Sequence, residues 1–512
     1  MSQGQTAHDD FSRSLILADR DDQRLLAEVH PASWQNPRAA DRYHLVVVGG
    51  GTAGLVCAAG AAGLGARVAL VERALLGGDC LNYGCVPSKG VIRAARAWAD
   101  AREAAERFGG PKVSGEGDFA TAMARMRRLR ADIGHHDSAR RFADLGVDVF
   151  LGDGRFVGSD VIEVGGQRLR YGRAVVATGA RAATLPIPGL AEAGFFTNET
   201  IFTLTELPRR LVVVGAGPIG CELAQSFARF GSQVTLLDIL PQILPREDAD
   251  AAALVEAALV RDGVTLALGA KTLGVAARGG EKVLTLERGG EQRELVADAI
   301  LLAVGRKPNL EGLGLEAAGI AYSKVGVEVD DFLRTSNRRV YAAGDVASRF
   351  QFTHAADAMA RIVLQNALFR GRARASRLVI PWCTYTSPEV AHVGLYEKEA
   401  TERGIALDTL TVPLSSVDRS RLDGDDAGFL RLHLARGKDR VLGATLVAER
   451  AGDLLGELYL AVTHGIGLGQ IASVIHPYPT EVEVIKKAAD TWRRGKLTPV
   501  VKKVLAALLK LV

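Results

Sequence analysis

LVVVGGGTAGLVCAAGAAGLGARVALVE, residues 45–72, is the stretch on which the fold turns. A β-branched apolar run enters three glycines, an alanine-rich helical stretch follows, and a second apolar run ends on an acid. That order is strand, turn, helix, strand, the parallel βαβ unit. Glycines 49, 51 and 54 permit a tight turn, close approach of backbone to a pyrophosphate, and close packing of helix on strand. The helix start supplies unpaired N–H groups and a positive dipole, so an anion belongs there. Glu72, 23 residues after Gly49, stands where an acid accepts hydrogen bonds from an adenosine ribose.

The pattern returns at 211–238 as LVVVGAGPIGCELAQSFARFGSQVTLLD, with Gly215, Gly217 and Gly220 and with Asp238 again 23 residues after the first glycine. Two units in register predict two dinucleotide sites. A carboxylate at Asp238 would repel a 2′-phosphate, which favours NADH over NADPH. Each unit continues into a Gly-Gly hairpin, VIEVGGQRLR at 161–170 and VLTLERGGEQREL at 283–295, and then an apolar strand ending in glycine. From Pro381 the pattern becomes mixed, as expected of a third, α+β domain.

Between the first unit and its hairpin lies GGDCLNYGCVPSKG, residues 77–90. Five cysteines in 512 residues are no disulfide scaffold, and Cys80 and Cys85 are the only close pair. Pro87 suits the first turn of a helix, so Cys85 is expected at a helix N-terminus, where a thiol loses its proton more readily. Lys89 follows four residues on and adds positive charge. No second Cys or His pair of ligand spacing accompanies them, so a metal site is not expected. Cys57, Cys221 and Cys383 read as buried small hydrophobes.

The bulk numbers agree with a large enzyme. The length suits roughly three domains at about 150 residues each. A net charge of +4 from 63 basic and 59 acidic residues leaves no footprint for nucleic acid. The first residues lack a basic region followed by an apolar run, so a cytoplasmic location is expected. A candidate helix at 11–30 belongs to an N-terminal appendage. At the other end, KLTPVVKKVLAALLKLV (496–512) places Val501, Val504, Leu505, Leu508 and Val512 on one helical face, largely opposite its lysines. That helix is expected to pack on its own domain or a partner subunit, with peripheral membrane contact as the alternative; it is too short to span a bilayer.

The cysteine segment, the two glycine fingerprints, ATG at 177–179 and AAGD at 342–345 resemble the pyridine nucleotide-disulfide oxidoreductases, which include dihydrolipoamide dehydrogenase, glutathione reductase and mercuric reductase. The resemblance covers about residues 43 to 490. It implies an α/β fold with two doubly wound, Rossmann-like dinucleotide-binding domains and a C-terminal α+β dimerisation domain. The implied division is 1–40 as extension, 41–190 and 305–380 around FAD, 191–304 around NAD(P)H, 381–493 as dimer interface, and 494–512 as the amphipathic helix. Gly49, Gly51, Gly54 and Glu72 would bind the ADP part of FAD and Asp345 its ribityl and pyrophosphate region, with Gly78, Thr178, Gly179 and Gly305 also in the cofactor-binding set. Lys89 would approach the flavin and pair with Glu222. Cys85 would be the thiolate against the flavin, and Cys80 the thiol that meets the acceptor, a small molecule or a metal ion.

Disulfide-handling members carry a His-Pro-Thr motif with a Glu five residues later, contributed across a homodimer. In HPYPTEVE, the Pro479-Thr480 register puts Tyr478 at the histidine position and Glu483 at the glutamate position. Tyrosine, with a reference pKa of about 10, is a poor proton acceptor at neutral pH but can contact a soft metal. Mercuric reductases resemble this sequence in carrying that tyrosine, and the likeness extends to QFTHAADAMA and VDRSRLDGDDAGFLRLHL. Three features depart from them: the end LAALLKLV lacks their cysteine pair, residues 1–40 contain no cysteine, and Asp238 disfavours NADPH. A second register, pairing His476 with Glu481 as a base, would suit a dihydrolipoamide dehydrogenase. A flavin-bearing redox sensor or membrane-recruited partner is the reading from another class.

Overall fold

In the computed structural model, which describes residues 19–115 and 117–511, the chain divides into two units. One takes in the residues up to Pro241 with Gly263–Leu378; the other takes in Gln242–Asp262 with the residues from Val379 onward.

The first unit is built on two parallel sheets. In one, the strands run Val147–Leu151, Val68–Glu72, Tyr43–Val48, Gln167–Val176 and Val340–Ala342, each parallel to its neighbour. Tyr43–Val48 and Val68–Glu72 are buried almost throughout, so they read as continuous apolar runs rather than as an alternation. The last strand arrives from far along the chain, and the helix Thr353–Leu368 that follows it packs so closely on Thr52–Gly63 that a Cβ on Gly60 would meet Leu364 Cδ1 at 2.5 Å. The other sheet orders Thr265–Leu268, Gln233–Asp238, Arg210–Val214 and Ala299–Leu302, again all parallel. The hairpins stand at the Gly-Gly pairs: Gly165-Gly166 and Gly289-Gly290 have positive φ at both positions, as a two-residue type I′ turn requires.

The N-terminal segment is more than an appendage. Its helix Arg20–Val29 is capped by Asp19, and Leu25 and Val29 are wholly buried. Asp22, also buried, forms an ion pair of 2.6 Å with buried Arg130, whose other Nη donates to the carbonyl of Asn82 at 2.9 Å. Leu76 N–H donates to Val29 O at 3.2 Å. The expected helix at 11–30 is thus seen from Arg20; residues 11–18 lie outside the described residues.

The second unit is α+β. Its antiparallel sheet runs Trp382–Thr384, Glu389–Gly394, Val441–Ala448, Phe429–Ala435 and Leu407–Pro413. The helix Glu483–Gly495 buries Val484, Ile485, Ala488 and Ala489 in the same core as Leu430, Leu432 and Leu446. Its successor, Pro499–Leu509, buries nothing. Packing on its own domain, expected from the amphipathic pattern, is therefore corrected: the apolar face has no counterpart within the described chain, and Val512 lies outside the described residues.

Candidate active site

At its first and third glycines each turn lacks room for a side chain. Gly49 has φ +108°, and a Cβ on it would lie 2.3 Å from Ala177 O; a Cβ on Gly54 would lie 1.8 Å from Gly49 O. The second turn repeats this, with Gly220 1.8 Å from Gly215 O. The helices that follow, Thr52–Gly63 and Pro218–Phe230, have Gly51 and Gly217 as N-caps and no side-chain cap, which leaves first-turn N–H groups for an anion. The acids also match. Glu72 accepts from Gly50 N and Ala74 N at 2.5 and 2.6 Å, and Asp238 from Ala216 N and Leu240 N at 2.7 and 2.8 Å. Each turn thus holds a side-chain-free cradle, open amide donors and an acid at the strand end, a set that fits a dinucleotide.

The cysteine segment packs directly on the first turn. Gly77 N–H donates to Gly50 O at 2.9 Å, and a Cβ on Gly78 would come within 2.6 Å of Gly51 Cα. Cys80 lies in the short helix Gly78–Asn82, and Cys85 opens the helix Cys85–Arg107. Both thiols are free; Cys85 is exposed and Cys80 half-buried. A hydrogen bond from Cys80, then one with Thr353 and the charge of Lys89, lower Cys85 to about 6 against the opposing desolvation by the protein packed around its solvent-reached thiol. The same bond and burial raise Cys80. Cys85 is therefore the first of the pair to ionise. Thr353 Oγ1, at the start of its helix, lies 3.4 Å from Cys85 Sγ.

Lys89 Nζ meets Glu222 Oε2 at 3.0 Å, joining the dithiol helix to the helix after the second turn. Thr178 Oγ1 donates to Asn309 O at 2.8 Å, while Gly179 and Gly305 adopt positive φ. Asp345 is raised to about 6 by burial, with Arg306 opposing. Arg306 itself is mostly buried, 3.5 Å from Asp345 and 3.1 Å from Asp79. Sequence reasoning passed over Thr353, Arg306 and Asp79. The available signals were weak: Asp79 adjoins Cys80, Arg306 follows Gly305, and Thr353 stands in QFTHAADAMA.

Within the second unit, Tyr478 is 70% exposed, and its hydroxyl donates to Asp418 Oδ2 at 3.0 Å; that bond raises its pKa. Glu483 opens the helix Glu483–Gly495 and pairs with Lys487 at 3.4 Å, while its Oε2 is buried without a hydrogen-bond partner. His476 pairs with Glu457 at 2.9 Å. That bond uses the ring's Nε2, and Nδ1 is buried with no hydrogen-bond partner among the described residues, so Glu481, the expected partner, is not bonded to His476 in this chain. Cys57 and Cys221 are buried as expected, but Cys383 is only half-buried, beside Glu389.

The pyridine nucleotide-disulphide oxidoreductase family matches residues 43–360, and that family's dimerisation domain matches residues 380–489. Over 452 residues the chain is 34% identical to a mercuric reductase of Bacillus cereus, covering 88% of this chain and 71% of that one. It is equally 34% identical over 455 residues to a dihydrolipoyl dehydrogenase of Thermus scotoductus, covering 88% and 97%. The solved Cu(II) complex of the HOCl-induced flavoprotein disulfide reductase RclA from Escherichia coli aligns with a TM-score of 0.79 at 28% identity, over 88% of this chain and 100% of that one. With two dinucleotide cradles, a close cysteine pair packed on the first of them, and a dimerisation domain matched at residues 380–489, the chain belongs to the pyridine nucleotide-disulphide oxidoreductases, enzymes that use FAD and a pyridine nucleotide.

Proposed function

We propose that this enzyme oxidises NADH and passes the electrons through the Cys80–Cys85 pair to a thiol-reactive acceptor, a soft metal ion in the manner of mercuric reductases. The observation that carries the reading is the contact of Gly78 with Gly51, which sets the cysteine segment against the first dinucleotide cradle. On this reading Gly49, Gly51, Gly54, Glu72, Gly78, Thr178, Gly179 and Asp345 hold FAD, and Gly215, Gly217, Gly220, Asp238 and Gly305 hold NADH. FAD bound there supplies a two-electron carrier between NADH and the cysteines.

The residues do the rest. Lys89, held by Glu222, keeps positive charge beside Cys85 and favours its thiolate. Cys80, raised by its hydrogen bond to Cys85 and by burial, keeps its proton longer and attacks the acceptor as that proton leaves. Loss of two electrons from the pair forms the Cys80–Cys85 disulfide and reduces a divalent soft ion to the element; NADH and a proton regenerate two thiols. Tyr478 and Glu483 would complete the site from the partner subunit of a homodimer, with the tyrosine as a soft-metal contact rather than a base.

A second reading, dihydrolipoamide dehydrogenase, is favoured by Asp238, whose carboxylate suits NADH. It is disfavoured by Tyr478, which stands where disulfide-handling members carry the histidine. The deciding experiment measures NADH oxidation by the flavin-loaded protein with mercuric ion plus thiol against oxidised lipoamide, with Cys80→Ala as control. Metal-dependent turnover lost in Cys80→Ala supports the first reading; robust lipoamide turnover supports the second.

A further inference from the structure

The helix Pro499–Leu509 is a finished element. Thr498 caps it by accepting from Val501 N at 3.3 Å, and Pro499 occupies its first turn. Yet Val501, Val504, Leu505, Leu508 and Leu511 are 38%, 54%, 44%, 52% and 83% exposed. At 100° per residue these five fall on one side, Lys503 and Lys510 project from the other, and Lys502 stands at the border. From Thr491 to Val512 the sequence holds six basic residues, Arg493, Arg494, Lys496, Lys502, Lys503 and Lys510, and no acid.

We propose that this helix docks on an anionic phospholipid surface, its apolar face in the headgroup boundary and its lysines against the phosphates. Charge selects this occupant. A second copy covering the apolar face would leave these six basic residues without a counter-charge, since a two-fold contact brings no acid to them, whereas anionic headgroups supply one. The matched dimerisation domain also ends at residue 489, before the helix begins. The mode is to lie on the membrane: no described helix is long and apolar enough to cross one. The proposal stands independently of the electron acceptor.

The test uses the full-length, flavin-loaded protein and sedimentation with vesicles of phosphatidylglycerol mixed with phosphatidylcholine, against phosphatidylcholine alone. The expected result is at least tenfold more protein with the anionic vesicles, falling as salt is added. Two variants, Val504→Asp with Leu508→Asp, and Lys502→Glu with Lys503→Glu and Lys510→Glu, should each lose at least tenfold of that binding with flavin absorbance and elution volume unchanged. Equal sedimentation of wild type and variants overturns the proposal. So does a shift of the Val504→Asp, Leu508→Asp variant to a smaller species on size exclusion, which would assign the face to a second copy.

Discussion

Removing the sulfur of Cys80 should make Cys85 a measurably weaker acid. In the reduced pair Cys85 sits at about 6, and the hydrogen bond from Cys80 is the largest of the causes. A hydrogen bond to a charged acceptor contributes about 1.5–3 kcal/mol, and 1.36 kcal/mol corresponds to one pH unit, so Cys80→Ala should move the midpoint to about 7–8. Thr353, Lys89 and the helix N-terminus remain and keep it below an ordinary thiol. The assay is the pH dependence of Cys85 alkylation by iodoacetamide in the reduced protein, with labelled sites read by mass spectrometry. Only thiolate reacts, so the rate rises with pH through the midpoint. At pH 6 about half of Cys85 is reactive in the wild type, and roughly a tenth or less should be in the variant. A wild-type midpoint above 8, or one that does not move in Cys80→Ala, refutes the assignment of Cys85 as the stabilised thiolate.

Thr353→Val should raise the same midpoint by less than Cys80→Ala does, because its bond is the smaller cause; an equal or larger shift reverses that order. Asp22→Ala strands buried Arg130 and should cost about 3–5 kcal/mol, seen as a lower thermal midpoint, while Asp22→Leu with Arg130→Met should recover most of it; a single-variant loss below about 1 kcal/mol contradicts the buried pairing. Gly54→Ala forces a Cβ onto Gly49 O and should purify with most of its flavin absorbance missing, so full flavin content would remove the cradle from the FAD site. Asp238→Asn should narrow the preference for NADH over NADPH by about tenfold, or about 1.4 kcal/mol, and a wild type that prefers NADPH would show that Asp238 does not govern the choice.

The βαβ units were legible in the chain because glycine at a crowded positive-φ turn and apolar runs buried on both faces are local requirements. Gly49, Gly54, Gly215 and Gly220 have no alternative residue, and the strands beside them no polar face to hide. The cysteine pair and the helix that Cys85 opens were legible for the same reason, since Pro87 and the spacing act within a few residues. The tertiary structure alone brought Thr353 to Cys85, Arg306 to Asp79 and Asp345, and Arg130 to Asp22 and Asn82. These partners are 268, 227 and 108 residues apart in three of those pairs, and no periodicity reports which distant side chains share a cavity. His476 makes the same point. Five-residue spacing suggested Glu481, but the folded chain offered Glu457, because a histidine pairs with the carboxylate that packing places beside it rather than with the one nearest in sequence.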